Sequence, residues 1–327
     1  MDPATPASTP PASSARSTDV ARTGPPEAPE LGRWVTAQPP KAADVVRKLV
    51  TFPKLCLDHR DLIRTSVKRE LQARFTGTAL GWAWPLLQPL LLFLVYYFIF
   101  TKLLGIKFEG TLPPGQEAAF GIFMFVGVVV WAALSDSILR GCGAIVENGN
   151  LIKKLAFPSE VLPLNVVMVS MVTMLFAVAM FVVATVATPI WQAPGVMLLW
   201  VPVLVLVQAV FTLGIVLFLS ALQVFLRDTI QVMGVVTTVW MFLTPIFWTP
   251  EIVDPEVIGP YLWIVELNPM FHIVYAWRVV LMSSEPAISF HHDFGTSLLV
   301  YSAWALGAFV VGYAFFVLCQ RRFADEV

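Results

Sequence analysis

The sequence predicts an all-α integral membrane protein with six transmembrane helices. Of its 327 residues, 57% are hydrophobic and 13% are charged. The mean hydropathy of +0.75 is far above that of a soluble domain. The charges are also segregated along the chain, because five long stretches contain none. Such a chain is expected to place those stretches in the bilayer and its charges outside it.

Residues 1–41 are predicted to be a disordered cytoplasmic tail. The first 40 residues hold nine prolines amid alanine, serine and threonine, and no apolar run that resembles a signal sequence. We interpret the tail as a dispensable extension. A tether or a partner motif is the alternative, although nothing in the tail has a defined spacing.

Residues 42–79 are predicted to contain an amphipathic helix along the cytoplasmic membrane face. Apolar residues recur at near-helical spacing from Leu62 to Phe75. The basic residues between them are Arg60, Arg64, Lys68, Arg69 and Arg74. Because Arg74 projects within the apolar arc, an ordinary solvated helix is the alternative. Trp82 and Trp84 follow, where indole rings favour the headgroup zone.

Residues 80–320 are predicted to form the transmembrane domain. The charge-free blocks are 75–101, 118–135, 161–226, 229–250 and 294–320. The third block is about twice the roughly 20 residues that one span needs, and prolines and a glycine interrupt its middle, so it predicts a helical hairpin. The second block is short, and its helix is expected to include Asp136 or Ser137. Residues 321–327 are left as a short cytoplasmic tail.

The distribution of basic residues predicts the orientation of this domain. Eighteen of the 21 lysines and arginines fall on one side of the six-span topology. The exceptions are Lys102, Lys107 and Arg278. Because cytoplasmic segments are rich in lysine and arginine, both termini are expected in the cytoplasm. The three cysteines all lie on or near that side, so structural disulfides are not expected.

Several functional classes are disfavoured by what the sequence lacks. No ionisable residue falls in the middle of a predicted span, which argues against a proton-driven or sodium-driven carrier. No Gly-Lys dipeptide occurs, so the chain has no phosphate loop and is not expected to hydrolyse ATP. We also predict no metal site, no catalytic residue and no nucleic-acid partner.

A membrane acyltransferase or glycosyltransferase is the alternative from a different class. It would need acids or histidines near the interface, and the compact candidate is His291-His292-Asp293. Adjacent histidines point in different directions, and the sequence gives them no orienting partner. Converting all three to alanine separates the two hypotheses, because an enzyme would lose its activity and a transporter would largely keep it.

Two segments between the spans have the character of functional elements. The loop 147–163 follows two glycines, carries Lys153 and Lys154 and re-enters the membrane through two prolines, as a docking element would. The external stretch 267–277 predicts a re-entrant or interface-lying helix, capped by Asn268 with Pro269 at its first position. An amphipathic helix that only seals a dimer or the bilayer edge is the alternative.

Four segments resemble membrane subunits of type-two ABC exporters for O-antigen and other cell-envelope polysaccharides. NLIKK at 150–154 and FPSEVLP at 157–163 are similar to that family's loop after the second span. GWAWPLLQP at 81–89 resembles the start of its first span. LTPIF at 243–247 and LNP at 267–269 resemble the end of its fifth span and its external re-entrant region. The resemblance covers residues 57–322.

This resemblance implies a homodimer that encloses a channel and is driven by two copies of a separate ATP-binding subunit. ATP and magnesium would belong to that partner, so no cofactor is expected in this chain. The implied substrate is a polyprenyl-diphosphate-linked glycan, exported across the bacterial plasma (inner) membrane and in contact with membrane lipids. Teichoic acid, galactan, capsule, a drug or a small lipid are alternatives within the same architecture.

The resemblance also implies residue roles. Coupling to the ATPase falls to Glu147, Asn150, Lys153, Lys154 and Phe157. The entrance for the lipid diphosphate falls to Arg60, Arg64, Lys68, Arg69 and Arg74, since arginine binds phosphate oxygens in a forked geometry. Aromatic candidates for the channel lining are Trp82, Tyr96, Tyr97, Trp240, Phe247 and Trp248. The alternative for any one ring is packing between helices or against lipid. External gate candidates are Asn268, Pro269, Phe271 and Tyr275.

Overall fold

A computed structural model describes residues 42–77, 81–105, 119–154, 158–187, 194–248, 259–282 and 293–327, and every regular element in these ranges is helical. The predicted tail, 1–41, lies outside them. The α-helices are α1 (Ala42–Asp58), α2 (Arg60–Phe75), α3 (Trp84–Tyr96), α4 (Ala119–Gly143), α5 (Gly149–Lys154), α6 (Val161–Ala187), α7 (Val201–Phe225), α8 (Thr229–Leu243), α9 (Leu262–Leu267), α10 (Pro269–Met282), α11 (Phe294–Cys319) and α12 (Phe323–Glu326).

Four helices of the described chain are long and apolar enough to cross a membrane. They are α4, α6, α7 with the 3-10 turn Val196–Trp200 before it, and α11 with the turns after it. The other two predicted spans are shorter. Helix α3 has 13 residues and continues into a 7-residue π-helix, Tyr97–Leu103, and α8 has 15 residues. Six spans therefore remain a prediction, of which four have full membrane length.

The core forms around α4, which is the most buried of the four long helices. Every described side chain from Phe120 to Trp131 is buried, so this helix is apolar on all sides, as expected of a central helix. It contacts α3, α6, α7, α8 and α10. As expected from the sequence, the helix runs past Asp136 and Ser137 and ends at Gly143.

Helices α7 and α11 make the most extensive contact of the fold. Their backbones touch at Gly214 of α7, which lies against Ala308 and Phe309 of α11, and at Gly312, which lies against the carbonyl oxygen of Gly214. Small residues four apart on one helix, here Ala308 and Gly312, allow this approach in membrane proteins. Helix α11 is nevertheless the most peripheral of the long helices.

The N-terminal segment forms a pair of helices that packs on the bundle. Phe52 of α1 is buried against the rings of Phe309 and Tyr313 of α11, with centroid distances of 5.2 and 5.1 Å. Helix α2 packs on α6, and Leu71 is buried there. The sequence indicated helical character from Ala42, which is confirmed, but did not separate α1 from α2. Their position at the membrane interface remains a prediction.

Helix α10 is longer and more deeply buried than the sequence predicts. It extends to Met282, and every residue from Met270 to Met282 except Val279 is buried. Because α10 is covered on all sides, it is not the amphipathic helix at the bilayer edge that was the alternative interpretation. Arg278, expected to mark the outer boundary of the apolar stretch, lies inside the helix and is 3% exposed.

Candidate functional site

The loop after α4 places the predicted coupling residues at one exposed end of the molecule. A turn held by the bond from Glu147 N to the Gly143 carbonyl, 2.9 Å, leads directly into α5. The side chains of Glu147, Asn150 and Lys153 are exposed there. Phe157 and the side chain of Lys154 lie outside the described residues. Three of the five predicted coupling residues are thus accessible on this short segment.

Helix α5 rests on the C-terminal helix α12, a contact that the sequence did not indicate. Gly149 is buried against the side chain of Val327, and a Cβ at that position would collide with it. Phe323 is fully buried, with its ring 5.1 Å from that of Phe316 of α11. The six-residue α5 is therefore held on a packed support.

A part-buried polar cluster anchors the chain where it leaves this loop. Gln320, at the end of α11, donates to Ser159 Oγ at 2.9 Å and to Glu160 Oε2 at 3.1 Å. Lys48 of α1 donates to Gln320 Oε1 at 2.6 Å and lies 3.8 Å from Glu160. Glu160 is 3% exposed. The cluster ties α1, α6 and α11 together beside the predicted coupling loop.

Ion pairs fix the C-terminal end of α2 against α4. Arg74 pairs with Asp136 at 2.9 Å, and Ser170 of α6 donates to the same carboxylate at 2.6 Å. Arg140 of α4 pairs with Glu70. Arg74, Asp136, Arg140 and Ser170 line a cavity of about 380 Å³ between α3, α4 and α6. The carboxylate explains why an arginine interrupts the apolar arc of α2.

The other predicted entrance residues are exposed and separate into two groups. Arg60, Arg64 and Lys68 line a cavity of about 1060 Å³ between the N-terminal helices and helices α6 and α7. Arg69 is exposed and does not line it, because at 100° per residue it lies on the opposite face of α2 from Arg60. The structure therefore does not bring the five basic residues into a single cluster.

The predicted aromatic lining residues pack partly against neighbouring rings. Tyr96 and Phe247 have centroids 6.0 Å apart, Tyr97 stacks on Phe93 at 6.1 Å, and Trp240 meets Trp131 at 5.6 Å. The indole of Trp248 donates to the Phe242 carbonyl. The side chain of Trp82 lies outside the described residues. Exposed apolar side chains on these elements are Leu90, Leu91, Leu94 and Val95 of α3, Phe98 of the π-helix that follows it, and Val232, Val235, Val236, Val239 and Phe242 of α8.

Asn268 joins the end of α8 to the start of α10. Its Oδ1 accepts from Trp240 Nε1 at 2.9 Å and from Met270 N at 3.0 Å, and its Nδ2 donates to Thr244 Oγ1 at 2.8 Å. The predicted helix cap is confirmed, with Pro269 as the first helical residue. Phe271 and Tyr275, also predicted at the outer gate, are buried in α10 and lie next to each other, 6.4 Å between centroids.

We expect Asn268→Ala to lower the stability of the chain by about 2–3 kcal/mol, because three hydrogen bonds of a buried side chain are lost together. A thermal unfolding curve in detergent measures this effect. Asn150→Ala is the matched control, since Asn150 is exposed, and its change is expected within about 0.5 kcal/mol. Equal curves for the two variants would contradict the assigned role of Asn268.

Asp293 serves as the N-cap of α11. Its carboxylate accepts from the backbone N–H and the hydroxyl of Thr296, and the hydroxyl bond in particular lowers the pKa of Asp293 below its usual value. His291 and His292 lie outside the described residues. This acid of the predicted enzyme cluster therefore has a structural role in capping a long helix.

Comparisons with known proteins point to one family. Residues 61–282 match the ABC-2 type transporter family. The chain is 33% identical over 234 residues to the O-antigen export system permease protein RfbA of Myxococcus xanthus, covering 72% of this chain and 82% of that protein. It is 25% identical over 266 residues to a protein of the same name from Klebsiella pneumoniae, covering 81% and 94%. The family match runs from α2 to the end of α10.

Proposed function

Because this chain belongs to the ABC-2 type transporter family, we propose that it is the membrane subunit of an exporter that moves a lipid-linked glycan of O-antigen type out of the cytoplasm. The observation that carries the proposal is the 33% identity with the Myxococcus xanthus O-antigen export permease, over most of both chains. The four long apolar helices agree with a channel-forming role in a membrane.

Family membership implies an ATP-binding partner. We propose that two copies of this partner bind ATP and magnesium and perform the hydrolysis, and that this chain works as a homodimer. The exposed apolar faces of α3 and α8 support the second point. Faces of this kind need cover from lipid or from another protein, and a second copy of the chain would bury them around a shared path.

In the proposed mechanism, closure of the two ATP-binding partners acts on α5 and separates the α3 and α8 helices of the two protomers. Glu147, Asn150 and Lys153 support this role by their exposure at one end. Because α5 packs on α12, a movement of the partner that displaces α5 would also displace the helix bundle. Lys154 and Phe157 belong to the same proposed docking element.

The proposed path starts at α2 and ends at α10. Of the five predicted entrance residues, Arg60, Arg64 and Lys68 line the 1060 Å³ cavity. First contact with a polyprenyl diphosphate is therefore proposed at Arg69, which is exposed, and at the 380 Å³ cavity beside α3, where Arg74 lies. The aromatic residues of α3 and α8 would stack on sugar rings along the path. Asn268, Pro269, Phe271 and Tyr275 would form the outer gate. Both termini are then cytoplasmic, and the membrane is the bacterial plasma (inner) membrane.

The proposal is tested by gentle purification of the tagged chain from its own membranes, followed by identification of its partners and an ATPase assay. We expect an ATP-binding subunit in equal amount, together with ATP hydrolysis. Depletion of the chain should then cause a lipid-linked glycan to accumulate inside the cell. The identity of that glycan separates O-antigen from teichoic acid, galactan or capsule. Repeated isolation without an ATP-binding partner would refute the proposal.

Charge reversal at the docking loop gives a sharper test. We expect Lys153→Glu together with Lys154→Glu to lower export and partner-stimulated ATP hydrolysis by about tenfold or more, because two attractions become repulsions. The amount of folded chain in the membrane should not change. Arg47→Glu is the control, since Arg47 is an exposed cation on α1. Normal export in the double variant would rule out the coupling role.

A further inference from the structure

The cavity between the N-terminal helices and helices α6 and α7 has the composition of a lipid site. Its volume of about 1060 Å³ slightly exceeds the roughly 300–1,000 Å³ that small-molecule sites occupy. The floor is apolar and comes mainly from Leu164, Val167 and Met168 of α6 and Leu206, Val210 and Leu213 of α7. Hydrocarbon chains are suited to such a floor.

Three basic side chains lie along one edge of this cavity. Arg60, Arg64 and Lys68 are four residues apart on α2 and therefore lie along one side of the helix, over about 12 Å. All three are exposed, and Asp61 is the acidic residue among those that line the cavity. Positive charge thus predominates where the apolar floor meets the surface.

These cations differ from three other basic residues near the same end of the bundle. Arg74, Arg140 and Lys48 each pair with a carboxylate. No described carboxylate forms an ion pair with Arg60, Arg64 or Lys68. Three adjacent cations repel one another, and an anion placed among them would relieve that repulsion. A phosphate group offers enough oxygens to bind two guanidinium groups and an ammonium together.

We propose that this cavity holds a resident anionic phospholipid, with its phosphate at Arg60, Arg64 and Lys68 and its acyl chains on α6 and α7. None of the residues that line it belongs to α3 or α8, the helices proposed to line the transport path. The lipid is therefore distinct from the cargo. It would fix the N-terminal helices to the bundle in the way that the Arg74–Asp136 pair fixes the other end of α2.

A polyprenyl phosphate has the same chemistry as this ligand, a phosphate group on a hydrocarbon, so the test must separate the two sources. Cys56 lines the cavity and reports its occupancy. Burial raises the pKa of its thiol, so maleimide labelling is performed at alkaline pH, which increases the fraction of reactive thiolate. Cys319 is part-exposed outside the cavity and serves as the internal reference, whereas Cys142 is buried.

The full chain, delipidated in a neutral detergent, is titrated with phosphatidylglycerol, phosphatidylcholine or polyprenyl phosphate, and labelling of each cysteine is followed by mass spectrometry. We expect phosphatidylglycerol to slow labelling of Cys56 about tenfold and to leave Cys319 unchanged, with phosphatidylcholine much weaker. Equal protection by the two phospholipids would overturn the proposal, because the cations would then contribute nothing. Protection by polyprenyl phosphate at lower concentrations than phosphatidylglycerol would overturn it in favour of the cargo.

Variants test the two halves of the site separately. Neutralising the three cations together (Arg60→Gln, Arg64→Gln, Lys68→Gln) should weaken phosphatidylglycerol protection about a hundredfold, at about fivefold for each cation. Lys54→Gln is the control and should bind phosphatidylglycerol normally, because Lys54 is exposed on α1 and does not line the cavity. Ala209→Phe fills the floor without changing charge and should also abolish protection. Normal protection in the triple variant would refute the site. The assay needs no ATPase partner and no glycan, so its outcome does not depend on the proposed function.

Discussion

Replacing Gly214 by leucine is expected to lower the melting temperature of the chain by roughly 6–12 °C. The Cβ of any side chain at Gly214 would collide with the backbone of Ala308 and Phe309. Backbone cannot rotate out of the way as a side chain can, so α7 and α11 would have to separate along their contact. Overpacking costs about 1–3 kcal/mol, and a collision with backbone belongs at the upper end. Each kcal/mol corresponds to about 2–4 °C in a domain of this size.

Gly307 of α11 provides the control. Gly307 has nothing within 4 Å of the position where its Cβ would lie. Gly307→Ala should therefore be neutral or stabilising by up to about 1 kcal/mol, since alanine favours the helix. Gly312→Ala should behave like the Gly214 variant, because its Cβ would meet the Gly214 carbonyl oxygen. Thermal unfolding in detergent compares the three. Equal melting temperatures for Gly214→Leu and Gly307→Ala would contradict the close backbone contact between α7 and α11.

The ends of the long helices were predictable because charges mark them. The uncharged block 161–226 corresponds to α6, which starts at Val161, and α7, which ends at Phe225. Glu160 and Arg227 are the charges on either side of it. In the same way, Phe294 begins both the last block and α11. A charge at the end of an apolar run is informative since burying it in hydrocarbon is costly.

The contacts that organise the candidate site were not predictable in this way. Lys48 and Gln320 are 272 positions apart, and no local pattern relates them. Asn268 was recognised as a cap from the proline that follows it, but its bonds to Trp240 and Thr244 depend on how α8 packs. In the sequence, Arg74 differs from the other basic residues of α2 by its position within the apolar arc. Its partner Asp136, and the cavity that Arg60 lines, follow only from packing.

Arg278 is buried inside α10, which its charge in the sequence did not indicate. Its Nη1 donates to the Pro245 carbonyl at 2.8 Å, its Nη2 to the Ile246 carbonyl at 3.2 Å, and its Nε to the Phe123 carbonyl at 3.2 Å. The guanidinium also lies 3.3 Å from the centre of the Phe123 ring. Residues 245 and 246 follow the end of α8, where the backbone is no longer helical. Non-helical backbone in apolar surroundings needs such partners.

We expect Arg278→Leu to destabilise the chain by about 3–5 kcal/mol, because three buried carbonyl groups lose their donors at once. Arg278→Lys should recover only part of this loss, since an ammonium group does not present the planar fork that reaches three oxygens. Melting temperature in detergent is the readout, and Arg69→Leu on the exposed face of α2 is the control. A leucine variant as stable as the unmodified chain would contradict the role assigned to Arg278.

Gly127 allows the same contact to be tested from the other side. A Cβ at Gly127 would lie 2.7 Å from Arg278 Nη2 and 3.2 Å from Ile246 Cγ2. Gly127→Ala should therefore destabilise the chain by displacing the guanidinium. In the Arg278→Leu background, Gly127→Ala no longer displaces a guanidinium and should destabilise the chain less. The expected coupling free energy between the two positions is about 0.5–3 kcal/mol. If the two free-energy changes are strictly additive, Gly127 and Arg278 do not touch. Coupling between them would support Arg278 of α10 as the residue that links α4 to the end of α8.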